Sequence, residues 1–268
     1  MFNDHSKTSI ALIVFYIPAF ILAAYHACYR HKRPRLSWII LLLFSATDLM
    51  IVRLAAGIVV ILYEHKPRTG LMVGSIILLN AGVSPLLAAT LGFLRIILAH
   101  EPKVNPQIGR WLLISRLLFF VGLGLQIAGG CLEGSNSISD VDTGIKLVKA
   151  GYSCMAVFEA CLLVVQAYLW IHRQEISQLS QTILQSLALA LPFIIVRITY
   201  LFLSVFQASD LRWNDLVGPI APFLLMGLLM EYAVVCIYLA TGFIIPSWRN
   251  MKGERVVSAS GYPLVEDC

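Results

Sequence analysis

Charged residues are scarce in this sequence. Asp, Glu, Lys and Arg make up 13% of its 268 residues, whereas hydrophobic residues make up 59%. A soluble domain is usually about one quarter charged. The shortage of charge and the mean hydropathy of +0.81 therefore exclude an ordinary soluble domain and predict a membrane protein in contact with a lipid bilayer. The net charge of +5 is explained by basic loops and predicts no nucleic-acid partner.

Motifs for several chemistries are also missing. The sequence has no "DDxxD" cluster for magnesium and diphosphate, no H-E-x-x-H for zinc and no G-x-S-x-G for a nucleophilic serine. The six cysteines form no C-x-x-C pair, and the six histidines lie in loops or near the ends of apolar runs. We therefore expect no metal site. The last apolar run contains no lysine, which excludes a retinal Schiff base. The D/E-R-Y and N-P-x-x-Y motifs of rhodopsin-like receptors are also absent.

Long apolar runs dominate what is present. A membrane span needs about 20 mostly apolar residues, and unbroken runs of that length favour helices. The sequence predicts an all-α, polytopic bundle of seven transmembrane helices in a single domain, residues 1–245. A polar tail, residues 246–268, is predicted to be disordered and cytoplasmic. The runs cover residues 9–28, 38–62, 71–99, 111–130, 145–170, 186–206 and 216–245.

The distribution of Lys and Arg predicts the orientation. The first connection carries Arg30, Lys32, Arg33 and Arg35, whereas the fourth, "CLEGSNSISDVDTG", has no base. Basic loops stay in the cytoplasm. We therefore expect the N-terminus outside or luminal and the C-terminus cytoplasmic, in a multi-pass protein of the endoplasmic reticulum.

Polar side chains near the middle of the runs are the candidate functional residues. A charge at the bilayer centre costs at least ~3 kcal/mol, so such groups should face the bundle interior. We expect them to lie at a similar depth around one polar cavity. Helical spacing adds aromatic residues on the same faces. The mid-run polar residues are Asp48, Arg53, Asn80, Glu159, Arg197 and Glu231, and the aromatic residues are Tyr152, Phe193, Tyr200 and Tyr238.

The charges of this set do not balance. Three carboxyl groups accompany two guanidinium groups, which stay charged. Burial favours the neutral form of an acid without a partner, and a neutral buried acid can donate a proton. Glu231 and Asp48 are the leading candidate donors, followed by Glu159. If Arg197 pairs with Glu231, Glu231 is ionised and another acid donates. Alternatively, buried acid–arginine pairs only tie the helices together.

Five segments resemble a mostly fungal family of seven-helix membrane proteins. They are "FYIPAFILA", "WIILLLFSATDL", "SPLLAATLG", "ALPFIIVRITYLFLSVF" and "LLMEYAVVCIY". The family includes membrane-bound terpene cyclases of meroterpenoid pathways, of the ascofuranone, ascochlorin and macrophorin type. The resemblance implies protonation-initiated cyclisation of a farnesyl-type chain, or its terminal epoxide, on an aromatic or quinone-like core, with no cofactor. Asp48 departs from the basic residue expected at that position of the family.

Two other classes of protein fit the same charges. A transporter or exporter of a small lipophilic metabolite also needs charged groups at mid-depth, together with two access states. A receptor or sensor needs a ligand pocket and a cytoplasmic coupling surface. The short cytoplasmic loops leave little room for such a surface.

Overall fold

The computed structural model describes residues 4–25, 37–65, 69–101, 106–135, 137–207 and 219–244. These residues are almost entirely helical, which confirms the all-α prediction. The predicted tail lies outside them. The helices are α1 (Asp4–Tyr25), α2 (Ser37–His65), α3 (Thr69–Ala81), α4 (Val83–His100), α5 (Pro106–Glu133), α6 (Ile138–Ile171), α7 (Gln178–Phe206) and α8 (Ile220–Ile244), with a 3-10 turn at Arg173–Glu175.

Five of these helices, α4 to α8, are long and apolar enough to cross a membrane. Shorter apolar stretches lie in α1, at Lys7–Ala23, and in α2, at Met50–Tyr63. Large apolar side chains cover the outside of α5, where Leu113 and Leu117 are exposed. An apolar exterior of this kind suits contact with lipid rather than water. The chain is therefore an integral multi-pass membrane protein.

The third apolar run forms two helices rather than one. Helix α3 ends at Ala81 and α4 begins at Val83, with Gly82 between them. Pro85 explains the position of the break, because its ring crowds the carbonyl four residues earlier, at Ala81, and it has no N–H to donate there. Helix α4 then occupies the centre of the bundle, with nearly every residue from Val83 to Ile97 buried.

The last apolar run is also irregular. Helix α8 opens with a single turn at Ile220–Pro222, continues as a π-helix at Phe223–Leu229 and becomes α-helical again at Met230–Ile244. A π-helix has a wider turn than an α-helix and often lies at a functional site. Glu231 follows this segment directly.

Helices α5 and α6 form the closest pair in the bundle. A Cβ added to Gly129 would lie 2.7 Å from the Gly144 carbonyl oxygen, and one added to Gly144 would lie 2.7 Å from that of Gly129. Gly122 and Gly151 approach each other in the same way one heptad further along. Small residues allow this close backbone contact. Such packing stabilises helix pairs in membranes and needs no charged side chains.

Candidate functional site

Glu231 accepts hydrogen bonds from two helices. Its side chain is completely buried. The Arg53 Nε on α2 donates to Oε1 over 2.5 Å, and Arg53 Nη2 donates to Oε2. The Tyr16 hydroxyl on α1 donates to Oε1, also over 2.5 Å. Two parallel bonds from one guanidinium to one carboxyl group form a bidentate ion pair, which is a strong geometry for this contact.

A second guanidinium approaches the same carboxylate. Arg197 Nε on α7 lies 3.4 Å from Glu231 Oε2, and Arg197 is 1% exposed. The contact is an ion pair rather than a hydrogen bond, because Arg197 Nε and Nη1 have no hydrogen-bond partner among the described residues. We call Tyr16, Arg53, Arg197 and Glu231 the Glu231 cluster. Both guanidinium groups therefore contact the same carboxylate.

Glycines at the two helix irregularities lie beside these guanidinium groups, and the one at Gly82 leaves room that a side chain would fill. A Cβ on Gly82, at the break between α3 and α4, would overlap the Arg53 guanidinium. A Cβ on Gly227, in the π-helix, would lie 3.6 Å from Arg197 Nη1. The chain therefore places a glycine next to each arginine of the cluster.

Aromatic rings cover the cluster. The Tyr232 ring stacks on Phe15 with centroids 3.8 Å apart, and the Tyr16 ring meets both of them edge-on. The Arg197 guanidinium carbon lies 5.8 Å from the Tyr200 ring centroid, a favourable cation–π distance. These rings help to keep water away from the charges.

Glu159 is a second buried acid in the described part of the structure. It is 5% exposed, and its Oε2 has no hydrogen-bond partner among the described residues. It lies within electrostatic range of Tyr238 on α8. The Tyr238 hydroxyl is 2.6 Å from Thr90 Oγ1, and its ring centroid is 5.0 Å from that of Phe93. We call Thr90, Phe93, Glu159 and Tyr238 the Glu159 group.

The prediction that Glu159 surrounds one polar cavity together with Arg197 and Glu231 stays a prediction. Among the described residues, no hydrogen bond or ion pair joins Glu159 to the Glu231 cluster. All three are buried as predicted.

A small cavity lies between α4, α5, α6 and α7. Its polar lining comes from Ser84, Gln126 and Tyr152, and Met155 and Phe202 add apolar surface. Its volume of about 10 Å³ holds about one water molecule. Neither Glu159 nor Glu231 lines it.

One face of α6 is buried along its length. Tyr152, Glu159 and Gln166 are spaced seven residues apart, which places them on the same side of the helix. All three side chains are buried.

Comparison with known proteins gives one match. The sequence model of the DUF7702 family, described as a domain of unknown function, matches residues 2–247. The chain belongs to the DUF7702 family. The matched range contains every described helix, and so both buried acids. No curated protein and no solved structure matches the chain.

For this DUF7702 protein, sequence reasoning identified most of the Glu231 cluster. The structure brings Arg53, Arg197 and Glu231 together and places Tyr200 beside them. Phe193 is half-buried one turn before Arg197. The side chains of Asp48 and Asn80 lie outside the described part of the structure.

Two hydrogen-bonding residues were missed. Tyr16 completes the Glu231 cluster and Thr90 completes the Glu159 group. Tyr16 could have been selected from the sequence, because its phenol lies in the middle of an apolar run, "FYIPAF". A buried hydroxyl group needs a hydrogen-bond partner, so this position predicts a polar contact inside the bundle. Within the described ranges, no three His, Cys, Asp or Glu side chains lie close enough to hold a metal ion.

Proposed function

We propose that this protein is a membrane-bound terpene cyclase that starts its reaction by protonating the substrate, with Glu159 as the proton donor. The substrate class is a farnesyl-type chain, or its terminal epoxide, on an aromatic or quinone-like core. The observation that carries this proposal is the buried Glu159 carboxyl, whose Oε2 has no partner among the described residues.

Glu159 fits the role of donor because it forms no ion pair with any described residue. An ionised carboxylate buried without a partner is strongly disfavoured, so the acid keeps its proton. A neutral carboxylic acid can transfer that proton to an epoxide oxygen. The C–O bond then breaks, the neighbouring alkene attacks the resulting cation, and loss of a proton ends the sequence. Reactant and product have the same mass.

The ring faces near Glu159 support the same chemistry. Tyr238 and Phe93 contact each other on α8 and α4, and Glu159 lies within electrostatic range of Tyr238. Aromatic faces stabilise cations, and exclusion of water prevents early quenching. The cavity beside Tyr152 holds about one water and is not lined by Glu159, so it does not accommodate a farnesyl chain as it stands.

Glu231 is the weaker candidate donor. Its two oxygens accept hydrogen bonds from Arg53 and Tyr16, and Arg197 adds a second positive charge. These contacts form a buried, bidentate ion pair. We therefore assign Glu231 a structural role, in which it holds the two arginines. Asp48 remains the other candidate donor.

The direct test is turnover in microsomes that contain the full chain. A farnesylated phenol with a terminal epoxide is added, and an isomer of equal mass but different retention is sought by chromatography and mass spectrometry. Glu159→Gln should lower the rate by about 100-fold or more, as expected for loss of a general acid. The control is Glu175→Gln, an exposed acid in the turn between α6 and α7. Wild-type turnover in Glu159→Gln would overturn the assignment.

The proposed topology is seven spans in the endoplasmic reticulum, with the N-terminus luminal and the C-terminus cytoplasmic. The basic first connection and the base-free fourth connection support it. A glycosylation acceptor added at the C-terminus should stay unmodified in microsomes. Modification of that acceptor would reverse the orientation.

A transporter of a lipophilic metabolite is the second candidate. It is favoured by the break at Gly82, because interrupted helices beside charged residues are common at transporter binding sites. Proteoliposomes distinguish the two functions. A transporter moves the compound across the bilayer unchanged, whereas a cyclase converts it to an isomer.

A further inference from the structure

Arg116 lies at the border between the buried face of α5 and the side of that helix that faces lipid. Its side chain is half-buried. On one face, Leu112 and Phe119 are 1% and 7% exposed, whereas Leu113 and Phe120 on the other face are 65% and 51% exposed. Successive residues of a helix are about 100° apart, which places Arg116 between these two faces. Lipid can therefore reach its side chain directly.

The described residues supply no counter-ion to Arg116. Its guanidinium carbon lies 5.4 Å from the ring centroid of Phe120, which is a cation–π contact. Among the described residues, no hydrogen bond or ion pair joins Arg116 to another group. Arg95 on α4 lies within electrostatic range of Arg116, but it is also a cation. A charge beside hydrocarbon is costly, so Arg116 favours an anion that comes from the bilayer.

The position of Arg116 along α5 brings it within reach of lipid head groups. Helix α5 has 28 residues and is about 42 Å long, whereas the hydrocarbon core is ~30 Å thick. Arg116 follows Pro106 by ten residues, which is about 15 Å along the helix. Helical side chains lean toward the N-terminal end, so a long arginine can extend toward the near interface. Trp111, which is 66% exposed and nearer that end, suits the interface itself.

The charge of Arg116 distinguishes between kinds of phospholipid. An anionic phospholipid has a net negative charge, so its phosphate neutralises the guanidinium. In phosphatidylcholine the choline cation offsets the phosphate, and the guanidinium charge stays unbalanced. Guanidinium and phosphate also match in geometry, because two N–H groups can bind two phosphate oxygens. Arg116 therefore favours an anionic phospholipid.

We propose that Arg116 binds the phosphate of an anionic phospholipid at the lipid-facing edge of α5. The acyl chains lie against the exposed side chains of Leu113, Leu117 and Phe120. In the proposed topology this end of α5 faces the cytoplasmic leaflet, where anionic lipids give the membrane its negative surface potential. The site lies on the outer surface of the bundle, so it is independent of the proposed reaction.

Native mass spectrometry of the detergent-solubilised full chain tests the site. Phosphatidylinositol and phosphatidylcholine with identical acyl chains are supplied in equal amounts, and the lipid that stays bound to the protein is identified by its mass. The wild-type protein should retain phosphatidylinositol about fivefold over phosphatidylcholine, the preference expected from one arginine near an anionic head group. Inorganic phosphate in excess should not displace the lipid, because the acyl chains also contribute to binding.

Substitutions of two arginines locate the binding. Arg116→Gln should make the binding of the two lipids equal, and Arg116→Lys, which keeps the charge, should retain most of the preference. Arg116 forms no ion pair with a described residue, so its loss should not prevent folding. If Arg116→Gln nevertheless fails to fold, Arg116→Met keeps a long apolar side chain toward the lipid and replaces it. Arg110→Gln is the matched control, because Arg110 is exposed on the same helix but about 120° away from Arg116.

Four results would overturn the proposal. The first is equal binding of the two lipids by the wild-type protein. The second is an unchanged preference in Arg116→Gln or Arg116→Met, or a complete loss of it in Arg116→Lys. The third is an equal loss in Arg110→Gln and Arg116→Gln, which would show a diffuse effect of surface charge. The fourth is displacement of the lipid by inorganic phosphate, which would assign a site for a free anion.

Discussion

Two buried acids in the described part of the structure differ in their partners, not in their burial. Glu231 is 0% exposed and contacts two arginines and a tyrosine. Glu159 is 5% exposed, and one of its oxygens has no hydrogen-bond partner among the described residues. Burial alone would suggest the same role for both acids. Their partners distinguish them, because Glu231 is ion-paired, whereas Glu159 is the acid that we propose as the proton donor.

Glu231→Gln should have the largest effect on stability. The change removes the anion between Arg53 and Arg197 and leaves two buried cations facing each other. Breaking a buried pair in this way costs about 3–5 kcal/mol, so little folded protein should remain. The yield of monodisperse protein after detergent extraction measures this. Glu175→Gln, an exposed acid, should give the wild-type yield, and a normal yield of Glu231→Gln would show that the cluster is not structural.

Tyr16→Phe should have the next largest effect. It deletes the hydroxyl that donates to Glu231 and changes nothing else in the cluster. A hydrogen bond to a charged group contributes about 1.5–3 kcal/mol, so thermal unfolding should occur at a lower temperature. Tyr25→Phe is the matched control, because Tyr25 lies on the same helix and is 56% exposed. Equal unfolding temperatures for the two variants would contradict the hydrogen bond from Tyr16 to Glu231.

Gly82→Ala tests the break in the third apolar run. The added methyl group would overlap the Arg53 guanidinium, so the arginine must shift away from Glu231. Overpacking of this kind costs about 1–3 kcal/mol. The same substitution at Gly124, where nothing lies within 4 Å, should stabilise α5 by up to about 1 kcal/mol. If Gly82→Ala also proved stabilising, the close contact with Arg53 would be refuted.

Glu159→Gln should have the smallest effect on stability. The amide has the shape of the neutral acid and replaces no ion pair, so the free energy of unfolding should change by less than about 1 kcal/mol. This is the same chemical change as Glu231→Gln at a similarly buried position, which makes the two variants a direct comparison. A loss of folded Glu159→Gln protein equal to that of Glu231→Gln would remove the difference between the acids.

The sequence predicted the helices well and the contacts between them only in part. Apolar runs and sevenfold spacing correctly predicted that Glu159, Arg197 and Glu231 are buried. They could not predict which of these side chains contact each other, because that depends on how the helices pack against one another. The helix bounds were predicted less well, since α6 begins at Ile138, seven residues before the apolar run does.

The missing partners have physical reasons as well. Tyr16 carries no charge, so the search for mid-run charges did not select it. The contact between Gly82 and Arg53 depends on a helix break of one residue, and the position of Gly227 depends on a π-helix. Neither feature follows from hydrophobic periodicity, which assumes regular helices.

Infrared difference spectroscopy of the solubilised protein at neutral pH tests the central claim most directly. The spectrum of Glu159→Gln is subtracted from that of the wild-type protein, and the C=O stretch of a protonated carboxyl group is sought. The account predicts that this band is present in the wild-type protein and absent from Glu159→Gln. A band that survives in Glu159→Gln, or a wild-type protein without one, would contradict it.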